Sequence, residues 1–70
     1  MKISLKAARN NCNLSQVLLA KKLGVSKSTI SRWESGDIPI PEKMLRELCV
    51  ICGVNEKNIK VRKEIKTNEN

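Results

Sequence analysis

Two short amphipathic stretches joined by the turn Leu23-Gly24-Val25-Ser26 restrict this chain more than any other feature of its sequence. In the first, Ser15 stands where an N-cap is needed, and Leu19, Ala20 and Leu23 fall on one face. Gly24 follows at the position where a left-handed residue ends a helix. In the second, Ser26 caps, Ile30 and Trp33 point inward, and Gly36 closes the run. A connection this short does not let two helices lie antiparallel, so they must cross steeply. Ala20 is small where the second helix approaches, and Val25 is placed to plug the gap between the two.

A steep crossing over a short glycine-containing turn is helix-turn-helix geometry. The flanking sequence supplies supports of the same kind. Leu5, Ala8 and Cys12 recur at i, i+3, i+7 and are followed by Asn13, a residue that accepts a left-handed helix end. After "DIPIP", Pro41 suits a first helical position, with Glu42 favourable at the positive end of the helix. Leu45, Leu48, Cys49 and Cys52 carry the next apolar face until Gly53, and Asn55 caps a last short helix containing Ile59. The expected fold is all-α, a compact bundle of about five short helices. One domain spans residues 1–60, and residues 61–70 form a polar tail that either frays or joins a dimer contact. Ile59, Val61 and Ile65 alternate as in a strand that pairs with a mate, whereas Val61 and Ile65, four apart, also fit a helix; the spacing leaves both open.

With one Trp and no Phe or Tyr, the core must be aliphatic. At seventy residues, no second catalytic or ligand-binding domain is expected. No apolar run approaches the ~20 residues of a membrane span, and the opening "MKISLKAARN" lacks a secretory pattern, so a cytoplasmic location is expected. Three cysteines, an odd number, argue against a disulfide framework. Cys49 and Cys52 form a C-x-x-C, but with no His and only Cys12 besides, a zinc site lacks ligands and core packing is expected. No metal or cofactor is expected. Without His, a paired-carboxylate cluster or a glycine-rich phosphate loop, an enzyme is poorly supported.

Charge points to a polyanion. The chain carries 14 Lys and Arg against 7 Asp and Glu, a net +7. Residues 1–40 hold seven basic side chains against two acidic ones, and residues 41–70 hold seven against five. Each phosphate that a basic surface neutralises releases condensed counterions. The segment after the turn is the informative part. Its outer side consists of Lys27, Ser28, Ser31 and Arg32, and Lys27 in the first turn opposes the helix dipole. Such a face suits the DNA major groove: Lys and Arg donate to guanine O6 and N7, Ser pairs with several base edges, and Thr29 offers a hydroxyl or a methyl. A solvated polar face is the plain alternative. Lys21 and Lys22 read as solvated or phosphate-near charges.

The string LSQ…LA..LGVS…IS.WE.G (Leu14–Gln16, Leu19-Ala20, Leu23–Ser26, Ile30-Ser31, Trp33-Glu34 and Gly36) resembles the phage-repressor and Cro-like helix-turn-helix proteins of the XRE type. The likeness extends over roughly Leu5 to Ile59. It implies a lambda-repressor-like DNA-binding domain acting as a small transcriptional regulator, a repressor, in a prokaryotic cell or encoded by a phage or mobile element. By this resemblance, a recognition helix at about residues 26–35 enters the major groove. Lys27, Ser28 and Arg32 match base-reading positions, with Ser31 a weaker match, while Gln16, Ser26 and Thr29 match phosphate-contacting ones. Arg9 and Glu34 match a structural ion pair between the first and third helices. The implied partner is double-stranded DNA with a palindromic operator, bound by a homodimer whose contacts would come from Asn55–Ile59.

The chain departs from the family pattern at three points. Leu18 stands where an acidic residue usually completes a capping box with Ser15, and Val17-Leu18 add two apolar side chains there. They are expected to cover Asn10 and Asn11; exposed, they would form a patch for another protein. Asp37 replaces a commonly basic loop residue, which removes the usual phosphate contact from that loop. No ligand-sensing or self-cleaving domain is expected after the helical core. The competing function is a protein-interaction module, an antitoxin or adaptor, with Val17, Leu18 and Val50 as its contact patch.

Overall fold

The computed structural model describes residues 2–65. In chain order it contains β1 (Ile3–Ser4), α1 (Leu5–Asn11), α2 (Gln16–Leu23), α3 (Lys27–Ser35), α4 (Glu42–Cys52), a single 3-10 turn (Glu56–Asn58) and β2 (Ile59–Lys60). The serines act as the sequence requires. The Ser15 hydroxyl accepts from Leu18 N–H at 3.0 Å, and that of Ser26 accepts from Thr29 N–H at 3.2 Å. The Ser15 cap therefore forms without an acidic partner at Leu18. Ser4 caps α1 in the same way, accepting from Ala7 N–H at 3.0 Å. Gly24 ends α2 at φ 74°, with open space where a Cβ would stand, so backbone conformation rather than crowding selects glycine there. Asn13, at φ 61°, ends the first helical stretch.

Leu5, Leu19, Ile30, Ile40, Leu45 and Leu48 have almost no exposed surface and form the centre of the core. Trp33 closes it from α3, and Val25, half-buried, packs against it from the turn. Fully burying one such side chain contributes about 1.5–3 kcal/mol. The most extensive packing is between α2 and α3, where Ala20 is 3% exposed and lets the backbones approach.

Several expectations need correction. Four α-helices replace the expected five, because Asn55 caps only one 3-10 turn before the chain extends at Ile59. The fold is mostly helical but includes a parallel pair, Ile3 opposite Ile59 and Ser4 opposite Lys60. The strand-like alternation from Ile59 onward is thus satisfied within the chain. Ile59, 3% exposed, is a core residue and offers no side chain to a mate. The expected tail likewise does not begin at residue 61. Ile40 N–H donates to Arg62 O at 2.9 Å and Glu64 N–H to Ile40 O at 3.0 Å, so residues 62–64 run beside the loop before α4. Residues 66–70 of the expected tail lie outside the described residues. Pro41 is the N-cap of α4 rather than its first helical residue, which is Glu42. Val17 and Leu18 do not cover Asn10 and Asn11: they are 45% and 48% exposed, and both asparagines are exposed as well.

The cysteines divide. Cys12, the C-cap of α1, and Cys52, the last residue of α4, form a disulfide with Cα atoms 5.3 Å apart. An odd count excludes complete pairing but not one bridge, and helix packing brings together two ends separated by 40 residues of sequence. Cys49 is the free thiol and is buried, as core packing requires. Burial pushes its pKa above the ordinary range and Glu56 adds to this, with Lys63 opposing. A raised folded-state pKa favours the protonated thiol, so this stabilisation is present below the unfolded pKa and lost as alkaline pH passes the folded one. Titration with a thiol reagent should find one reactive group after unfolding without reductant and three after unfolding with it. Reduction should lower unfolding free energy by roughly 3–4 kcal/mol for a closed loop of this length. Three reactive thiols without reductant would contradict the bridge.

Candidate nucleic-acid interface

The position of α3 is set from its inner side. Ile30 is fully buried and Trp33 is 3% exposed, which fixes the rotation of the helix about its axis. Glu34, in the last turn, fixes it a second time. Its carboxylate accepts from Arg9 Nε at 2.5 Å and Nη2 at 3.2 Å, a two-pronged pairing with side chains only 7% and 6% exposed. Arg9 Nη1 also donates to Leu14 O at 2.8 Å, so one guanidinium holds the α1–α2 connection and α3 together. Gln16, the first residue of α2, donates from Nε2 to Glu34 Oε1 at 2.8 Å. Arg9, buried, and Gln16 and Glu34, both half-buried, thus join α1, α2 and α3 in one network.

The opposite side of α3 is open. Lys27, Ser28, Ser31 and Arg32 are exposed, and neither Lys27 nor Arg32 forms an ion pair among the described residues. Ser26 Oγ lies 3.0 Å from Ser28 Oγ and 2.9 Å from Thr29 Oγ1, so three hydroxyls cluster at the N-terminal end of the helix. Thr29 is half-buried and Ser26 exposed. Lys21 and Lys22 are exposed at the end of α2. The fold therefore gathers the expected base-reading residues on one face and places the expected phosphate-contacting Ser26 and Thr29 at its edge. Gln16 stands apart from them: it is half-buried and engaged with Glu34, a partner its sequence position did not indicate.

A family model described as helix-turn-helix matches residues 5–57, which takes in all four α-helices and most of the chain. The chain belongs to the helix-turn-helix family, of the Cro and phage-repressor type. No curated protein and no solved structure matches it significantly. The family is one of DNA-binding regulators, and in this helix-turn-helix chain α2 and α3 are the two helices of the motif. Among the described residues no group of three or more His, Cys, Asp or Glu is arranged to hold a metal ion. No described helix is long and apolar enough to cross a membrane.

The sequence pattern does not point to Arg62. Its Nη1 donates to Gly36 O at 3.1 Å and Asp37 O at 3.4 Å, just beyond α3. Nothing in the local sequence signals this, because the contact spans 25 to 26 residues.

Removing one partner of the Arg9–Glu34 pair leaves the other charge buried. Glu34→Gln should lower unfolding free energy by up to ~3–5 kcal/mol, and the double change Arg9→Met with Glu34→Leu should cost clearly less. Urea denaturation of the three proteins checks this. A loss below about 1 kcal/mol for Glu34→Gln, the range of exposed pairs, would contradict the structural role.

Proposed function

We propose that the chain is a sequence-specific regulator that lays α3 in the major groove of duplex DNA and represses by occluding the site it occupies. The observation that carries this reading is the exposed Lys27–Ser28–Ser31–Arg32 face, whose Lys27 and Arg32 form no ion pair among the described residues, on a helix whose other side is locked into the core. Lys27 and Arg32 read guanine edges, with Ser28 and Ser31 completing the set. Ser26 and Thr29 at the helix start contact phosphate, and Gln16 does so with its remaining amide donor. The protein acts in the cytoplasm of a prokaryotic cell as a homodimer on a palindromic operator, with half-sites about 34–36 Å apart.

A second reading has its own support. Val17 and Leu18 at the start of α2 are about half exposed, and Val50 on α4 is 78% exposed. An antitoxin or adaptor would use such apolar surface to hold a protein partner, in a complex that survives salt.

Selection of bound duplexes from a random pool at two salt concentrations separates the readings. A short enriched motif, palindromic and with less total binding at the higher salt, is expected. Binding without enrichment, lost at higher salt, would contradict sequence-specific recognition. Arg32→Ala should weaken binding to the selected site by about 1–3 kcal/mol and relax one base position. An unchanged motif in that variant would remove Arg32 from the base-reading set.

A further inference from the structure

The loop after α3 presents a polyanion with the wrong charge. Asp37 is exposed there, and the C-terminal end of a helix carries partial negative charge on its carbonyls. At about 1.5 Å per residue, α3 is roughly 13.5 Å long, slightly more than the ~12 Å width of the major groove. A helix of this length laid across the groove, with Arg32 in its last turn facing the bases, brings its C-terminal end close to one phosphate wall. A bare Asp37 loop would be repelled at that wall.

The fold places a cation on that loop from far away in sequence. Ile40 N–H donates to Arg62 O and Ile40 O accepts from Glu64 N–H, which fixes the chain on either side of Lys63, and the Arg62 side chain reaches back to the Gly36 and Asp37 carbonyls. Those bonds use only Nη1; among the described residues Nε and Nη2 have no acceptor. Ile59 is buried, Lys60 exposed, Val61 half-buried and Arg62 exposed, so burial alternates through β2 and the two residues after it, and Lys60 and Arg62 fall on the exposed side. Both line a cleft that also includes Ser35 and Gly36 at the end of α3. The other charges facing this end are accounted for. Glu34 lines the cleft but is neutralised by Arg9, and the exposed Asp37 of the loop is the acidic side chain that Lys60 and Arg62 have to offset there.

We propose that Arg62 is a phosphate-contacting residue of the DNA interface, delivered by the segment after β2 to the end of the recognition helix, where the loop itself offers only the acidic Asp37. Lys60 supports it from two residues earlier. The inference rests on the DNA-binding reading given above and adds a second segment, remote in sequence, to the interface.

The salt dependence of binding to a selected duplex tests it. Loss of one phosphate contact lowers the slope of log K against log salt by about 0.9 and the affinity at 0.1 M salt by about eightfold. Arg62→Gln should show both changes with the selected motif unaltered, and Arg62→Lys should restore the slope, which a purely structural strap would not require. Asp37→Asn leaves the carbonyl acceptors in place and should strengthen binding. An unchanged slope in Arg62→Gln, or an altered motif without a slope change, would overturn the proposal while leaving DNA binding intact. No salt-sensitive duplex binding by the unaltered protein would overturn both.

Discussion

The carboxylate of Glu34 is the point on which three helices agree. It receives two donors from Arg9 on α1 and one from Gln16 on α2, and it belongs to α3. Burying a charge stabilises nothing by itself, since desolvation offsets much of the attraction. What this pairing supplies is direction: a two-pronged guanidinium and an amide reach one carboxylate in few arrangements, and an alternative packing leaves a charge unmatched. The aliphatic core could accept a slightly rotated α3, whereas this network cannot. The outward set from Lys27 to Arg32 inherits its position from that restriction.

The chain's small size makes such restrictions matter. Its core has a single aromatic side chain, Trp33. Two long-range ties supplement it, the parallel pairing of Ile3–Ser4 with Ile59–Lys60 and the bridge from Cys12 to Cys52. The bridge ties the end of α1, three residues beyond Arg9, to the end of α4. In a reducing compartment the sulfurs exist as thiols and the tie depends on packing alone. Around these ties α3 carries no ion pair on its outer face among the described residues, so its cations remain available to a ligand.

Whatever is decided locally was legible in the sequence. Ser15 and Ser26 cap because a hydroxyl needs only the amide three residues on, and Gly24 and Gly36 end helices because the left-handed backbone is a property of the residue itself. The inward set Leu19, Ala20, Leu23, Ile30 and Trp33 followed from periodicity. Relations across distance were less legible. The Arg9–Glu34 pair came through resemblance, but the Gln16 contact with the same carboxylate did not, because an amide at a helix start has many possible partners. The Cys12–Cys52 bridge was missed because parity of count says nothing about which helix ends meet. The Asn55 cap signals a helix but supports only one 3-10 turn, because Ile59 is drawn into the core as a strand residue. Val17 and Leu18 were placed under cover on hydrophobicity alone, yet they lie on the side of α2 away from Leu19, Ala20 and Leu23.

If the Arg9–Gln16–Glu34 network serves to present the outer face of α3 to a duplex, amide chemical shifts read this residue by residue as DNA is added. The largest changes are expected at Lys27, Ser28, Ser31 and Arg32, with smaller ones at the start of α2 and none around Val50 and Ile51 on α4. Changes confined to α4, with α3 unaffected at saturating duplex, would contradict it.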